Sequence, residues 1–313
     1  MKPMRASIRI AAILAVPVLG LAELVAHLWF ASRPPTFEEW STVVDTVRKT
    51  KQDGDLVVVA PAWADPAARS VLGDDLMPLR DVARPDDSRY AHAVEVSILG
   101  DHAPELAGWR EESRSTAGKF GNFLVRRLAN PAPANVLYDF VDHARPPFAD
   151  VRGTQPPVTC TWNPHAALSQ SGPFGHPVFP SERFECPGGA FFNVGVTVIG
   201  DEELRPRRCL WSHPFAHGEI VTRFHDVPLG QVVRGHGGIY WIVEREKRGA
   251  PVTLTVRVDG DTVGSFVHKD GDGWASFEMP LGAHAGAPKA EVEIAVSSPN
   301  FHDRHFCWEA DTR

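Results

Sequence analysis

Much of what gives a chain an obvious chemistry is missing from these 313 residues. There is no G-x-S-x-G elbow, P-loop, G-x-G-x-x-G or H-E-x-x-H. The sequence therefore offers no nucleophile elbow, phosphate cradle or zincin helix. Cysteine is scarce: the four lie in the second half at 160, 186, 209 and 307, and no two form C-x-x-C. That spacing disfavours a zinc ribbon or a thioredoxin-like centre. Basic charge is not in excess, with 32 Lys and Arg against 39 Asp and Glu. A nucleic-acid partner, which wants a concentrated basic surface, is not expected. Long hydrophobic runs are lacking except for one, Ile10 to Phe30.

That run, IAAILAVPVLGLAELVAHLWF, follows Lys2, Arg5 and Arg9. At about 1.5 Å per helical residue it matches the roughly 30 Å of a bilayer core. The basic flank puts the N-terminus in the cytoplasm by the positive-inside rule, with the remainder extracytoplasmic, periplasmic or at the cell surface. A cleaved signal peptide is the rival, but bulky Leu28-Trp29-Phe30 stand where small residues are wanted. Residues 1–35 are thus expected to be a cytoplasmic stub and single-pass anchor, with the membrane as a partner. Glu23 and His27 share one face of this helix and can snorkel toward headgroups.

Hydrophobic content of 43% is enough for sizeable cores beyond it. Pro (27) and Gly (26) favour turns and β structure over long helices. The expected fold class is α+β and multidomain. In 36–145, Thr36 to Glu39 reads as a capping box for a helix through Trp40, Val43, Val44 and Val47. Asp55 to Ala60 reads as a buried strand, and Asp65-Pro66 as the cap of a second helix. Further strands are expected at Val94–Leu99, Phe120–Leu128 and Val136–Val141, with a short helix at Ala103–Trp109 between them. Together they suggest a small three-layer α/β domain. The order helix, Gly-Asp-Leu-Val-Val-Val-Ala-Pro, helix, strand resembles the small extracytoplasmic domain of dolichyl-phosphate-mannose-type glycosyltransferases over about residues 37–130. Those enzymes carry many membrane helices and their catalytic acids near the membrane. The resemblance therefore implies a fold, and at most a scaffold beside such an enzyme, rather than its catalysis.

Residues 146–157 are rich in proline and are expected to be a linker. From 158 to 313 short β-branched and aromatic runs alternate with Gly, Pro and Asp clusters, the pattern of an antiparallel β-sandwich. These runs are Val194–Ile199, Glu219–Phe224, Ile239–Val243, Val252–Val258, Thr262–Val267, Trp274–Met279 and Val292–Val296. The region resembles the galactose-binding-like jelly roll of carbohydrate-binding modules in its strand spacing and its late Arg-His-Phe-Cys-Trp segment. Such a resemblance brings the first and last strands together, so Cys209 is expected to pair with Cys307 and Cys160 with Cys186. The chief alternative is Cys186 with Cys209 and Cys160 with Cys307.

The isolated loop histidines and Asp270-Gly271-Asp272-Gly273 read as solvated loops and a hairpin turn; no metal or cofactor is expected. Aromatic rings stack on the C–H faces of sugars, which singles out Trp211, Tyr240, Trp241 and Trp274. Arg234, His236 and Arg304 are the accompanying hydroxyl ligands. Tyr240 and Trp241, adjacent on an expected strand, should point to opposite faces. The bland reading of every such Trp is a place in the core. The function expected is a membrane-anchored protein with a β-sandwich module for glycan or cell-envelope contacts. The alternatives are a hydrolase or transferase acting on envelope carbohydrate, and a scaffold partner of a membrane glycosyltransferase. No catalytic residue is assigned.

Overall fold

The structure, a computed structural model, describes residues 3–31, 35–98, 100–118, 121–168 and 178–313. The chain forms two compact units, Met1–Pro78 with Ala91–Pro131, and Leu79–Tyr90 with Ala132–Arg313.

The first unit opens with helix α1 (Pro3–Ala31), which contains Pro17. Its longest stretch free of charged residues is 10–22, between Arg9 and Glu23. As helix that is about 20 Å, well short of a bilayer core of about 30 Å. Among the described residues no helix is long and apolar enough to cross a membrane. This overturns the single-pass, N-terminus-inside topology and removes the support for the membrane as a partner.

The capping box forms as its residues require: Thr36 Oγ1 accepts from the Glu39 amide, and Glu39 accepts from the Thr36 amide. It starts α2 (Phe37–Ser41), which breaks before α3 (Val44–Thr50). Strand β1 (Leu56–Ala60) follows, then α4 (Asp65–Leu76), with Asp65 inside the first turn rather than capping it. Strands β2 (His92–Ile98), β3 (Arg110–Ala117) and β4 (Phe123–Ala129) complete a sheet of order β1-β2-β4-β3. Only β1 and β2 run parallel. Trp40 of α2 lies 4.8 Å from the Phe123 ring. On the opposite face of β2, Glu95 is fully buried and accepts from Arg126 and the Ala103 amide. The helix expected at Ala103–Trp109 is reduced to one 3-10 turn, Pro104–Leu106, above this buried ion pair, so a second helical layer is missing and the three-layer reading is corrected. Strand β3 escaped notice because its sequence, Arg-Glu-Glu-Ser-Arg-Ser-Thr-Ala, is exposed at the sheet edge up to Ala117.

The second unit begins with the short helix α5 (Leu79–Val82) and is mostly a β-sandwich. Its strands are β5 (Tyr138–Asp139), β6 (Ala149–Thr154), β7 (Pro157–Thr159), β8 (Thr161–Asn163), β9 (Arg183–Glu185), β10 (Asn193–Gly200), β11 (Pro206–Ser212) and β12 (Ile220–Val227). They continue as β13 (Val232–Ile239), β14 (Val252–Val258), β15 (Asp261–His268), β16 (Ala275–Pro280), β17 (Ala290–Ser297) and β18 (Phe306–Thr312). One sheet has the order β16-β13-β18-β11-β10-β9-β8, with β5 added to β18; the other runs β15-β14-β17-β12-β6-β7. Between them sits one core, filled by residues such as Phe224, Ile294, Leu254, Trp308 and Leu210.

The linker expected at 146–157 carries β6, whose Ala149 and Val151 are buried and whose length pairs with β12. Its prolines sit before β6, in the turn after it and at the first position of β7, where missing amide donors cost the ladder little. Strand β13 was unexpected because Val-Val-Arg-Gly-His-Gly-Gly-Ile looks too rich in glycine. Close packing explains the glycines: a Cβ on Gly235 would lie 2.2 Å from the Glu309 carbonyl, and one on Gly237 2.8 Å from the Phe306 ring. The disulfides are Cys160–Cys186 and Cys209–Cys307, the expected pairing.

Candidate functional site

The seven residues singled out in the sequence do not converge. Alternation along β13 and β18 sends Val233, Ile239, Trp308 and Ala310 into the core and Arg234, His236, Cys307, Glu309 and Asp311 to the other face. Register sets His236 opposite Glu309 and Arg234 opposite Asp311. His236 Nδ1 is 2.6 Å from Glu309 Oε1, and the Trp274 ring lies parallel to the imidazole at 6.0 Å. The Arg207 guanidinium is 5.9 Å from the Trp274 ring. Arg234 and Arg313 both reach Asp86 at 3.6 Å.

Thus Arg234, His236 and Trp274 are neighbours, yet His236 and Glu309 are buried. Burial pushes the Glu309 carboxyl up to about 7, against the pull of the His236 bond. Burial likewise raises Asp311, although Arg313 opposes it. Asp86 resists burial and stays below the ordinary carboxylate value, held there by Ser88 and Arg313. This is a structural charge cluster in which burial perturbs the Glu309 carboxyl.

The other four are elsewhere. Trp211 is fully buried against Phe179, with its indole N–H donating to the Phe191 carbonyl at 2.9 Å. Arg304 is 1% exposed and donates to Asp270 at 2.5 Å and to the Ala250 carbonyl at 3.2 Å. Neither has a surface to offer a ligand. Tyr240 and Trp241 do not alternate on a strand, because β13 ends at Ile239 and Trp241 opens the helix α6 (Trp241–Glu244). The turn buries Glu244, which accepts from His268 Nε2 at 3.0 Å and from the Gly273 amide at 2.9 Å. Satisfying that carboxylate fixes the 270–273 turn and ends the strand early. Trp241 lies edge-on to Tyr240, with the Arg245 guanidinium 5.0 Å from its ring.

The open site is one the sequence reading passed over. A cleft of about 510 Å³ is lined by Arg80, Asp142, Arg145, Trp162, Glu182 and Arg208, among others. A further cleft of about 500 Å³ shares Arg80, Pro180, Val196 and Arg208 with it and adds an apolar wall. Trp162 stands on the edge strand β8, opposite Phe184 in register, and meets the Phe184 ring at 4.9 Å. Phe184 belongs to the sandwich core, so the indole is anchored on one side and lines the cleft on the other. The Cys160–Cys186 disulfide closes β8 and β9 immediately beside it.

Asp142 accepts from Arg80 at 2.7 Å and forms an ion pair with Arg208 at 2.9 Å, which positions both guanidinium groups. Arg145 and Glu182 are exposed at the rim. Aromatic surface, fixed donors and carboxylate acceptors together suit a polyhydroxylated ligand better than a purely apolar one. The available signal was Trp162 between Thr161 and Asn163: a large ring in a short polar edge strand next to a disulfide.

No protein-family model matches this chain, and no curated protein does either. Solved structures similar to it include carbohydrate-binding module domains at low identity. The CBM51-2 and INT domains of ZmpB from Clostridium perfringens are 15% identical, with a TM-score of 0.28, over 38% of this chain and 26% of that one. CBM51 from a second Clostridium perfringens protein, in complex with methyl-galactose, is 15% identical, with a TM-score of 0.26, over 38% and 81%. TmCBM61 in complex with β-1,4-galactotriose is 11% identical, with a TM-score of 0.25, over 57% and 95%. The chain thus spans about a quarter of the first of these. The likeness of residues 37–130 to a glycosyltransferase domain is not shown by any of them.

Proposed function

We propose that the second unit is a carbohydrate-binding β-sandwich module and that its glycan lies in the Trp162 cleft. The observation that carries this reading is the half-buried Trp162 indole, held by Phe184 and facing a groove whose arginines are pre-positioned by Asp142. An indole fixed in this way loses little side-chain entropy on binding, and sugar C–H faces lose apolar hydration against it. The guanidinium groups donate to hydroxyl or ring oxygens, while Glu182 and Asp142 accept from hydroxyls. Two joined clefts provide length for more than one sugar residue.

A glycan array probed with the full chain tests this. Retention of at least one oligosaccharide class by the native chain, and its loss in Trp162→Ala, is the expected result. Retention that is indifferent to Trp162 refutes the cleft.

A further inference from the structure

A further pocket, of about 240 Å³, lies between the Gly188–Gly189 loop and the segment Phe301–His305. Pockets for drug-sized ligands hold about 300–1,000 Å³, so this one suits a single ring rather than an oligomer. Three phenylalanines wall it. Phe191 is 37% exposed and stacks on His305 at 5.3 Å, with 18° between the ring planes. Phe192 and Phe301 stand 6.1 Å apart and meet the His213 ring at 5.5 and 6.2 Å. Rings locked against one another in this way are preformed apolar faces.

His213 supplies the polar element. It is only 5% exposed, and its Nδ1 lies 2.9 Å from the Pro214 carbonyl oxygen. A carbonyl can only accept, so Nδ1 carries the proton and donates it. Burial pushes the imidazole down to about 4, which keeps the ring neutral at physiological pH. Nε2 is then a bare lone pair, and among the described residues no protein donor is bonded to it. His213 lines the pocket, so this acceptor can receive an O–H or N–H from a ligand there.

Charge narrows the ligand further. The Asp303 carboxylate and the Arg304 guanidinium both act on His213, so charge of one sign does not stand alone there. Among the described residues no three His, Cys, Asp or Glu side chains are arranged to hold a metal ion.

We infer that the pocket formed by Phe191, Phe192, Phe301 and His213 binds one neutral sugar ring, with a hydroxyl donating to His213 Nε2 and a C–H face against the phenylalanines. It is a separate site from the Trp162 cleft, and it stands whether or not that cleft binds glycan.

The test is nitrogen NMR of the labelled full chain, following His213 Nε2. The probes are methyl β-D-galactopyranoside and methyl α-D-glucopyranoside at up to tens of millimolar, with tetramethylammonium chloride and sodium acetate as charged probes. At least one glycoside should shift His213 Nε2 saturably. Phe191→Ala should weaken that response by about tenfold or more, and Trp162→Ala should leave it unchanged. If Phe191→Ala does not fold, Phe191→Leu keeps the apolar bulk, removes the ring face and should weaken the response in the same way. Saturation by neither glycoside overturns the proposal. So does a response only to the charged probes, one unaffected by loss of the Phe191 ring, or one that vanishes in Trp162→Ala.

Discussion

Trp211 and Trp162 invite comparison because each sits beside its own disulfide in the same β-sandwich, yet the two have opposite fates. Trp211 lies on the internal strand β11, two residues after Cys209, and is sealed beneath Phe179 and Phe191. Trp162 lies on the edge strand β8, two residues after Cys160, with one side on Phe184 and the other on a cleft. An internal strand is flanked by partners on both sides, and here a loop covers its outer face as well. An edge strand leaves a large ring half-covered. Position in the sheet, more than the residue type, decides which aromatic can meet a ligand.

The strongest way to break the comparison is through the disulfides. Cys209 and Cys307 are separated by 98 residues and Cys160 and Cys186 by 26. On the chain-entropy model, removing the first by paired Cys→Ala substitution should cost about 4.7 kcal/mol and removing the second about 3.5 kcal/mol. Urea denaturation reads both. Equal losses would mean that native-state packing, rather than loop length, sets the difference.

Trp211→Ala comes next. Deleting a fully buried indole that also donates to the Phe191 carbonyl should cost about 3–5 kcal/mol in the same assay. A loss below about 1 kcal/mol would place Trp211 outside the core.

The buried His236–Glu309 pair gives a third contrast, since its charge is hidden whereas that of the cleft is exposed. Glu309 titrates near 7 in the folded chain against an ordinary 4.5, so the folded state keeps a proton that the unfolded state releases. The corresponding stability is fully present below about pH 4.5 and is lost as pH rises through about 7. The slope is at most about 1.4 kcal/mol per pH unit. Glu309→Gln should flatten that decline in melting temperature. A native chain whose stability rises across pH 5–7 would contradict the assignment.

How much of this was legible follows from the same physics. The strand runs Val252–Val258 and Thr262–Val267 and the capping box at Thr36 depend on local chemistry, and the structure carries them. The disulfide pairing was legible only through the resemblance to a jelly roll, and it is the one found. Strands β3 and β13 were not legible. One is exposed and charged at an edge, and the other needs glycine where Glu309 and Phe306 press on its backbone. Arg304 looked like a surface donor because nothing local reveals that Asp270, 34 positions upstream, receives it in a buried pair. The Trp162 cleft was missed for a related reason. Arg80, Asp142, Arg145 and Arg208 are brought together by tertiary structure alone, and only the polar setting of Trp162 hinted at it.

The central claim is that Trp162 contributes binding surface and little stability. The measurement is a calorimetric titration of the glycan selected on the array into the native chain and Trp162→Ala, with a melting curve of each. Affinity should fall by about tenfold or more, that is by at least about 1.4 kcal/mol, while the melting temperature moves by only a few degrees. Unchanged affinity in Trp162→Ala would contradict the account, as would a loss of affinity accompanied by the collapse in stability expected of Trp211→Ala.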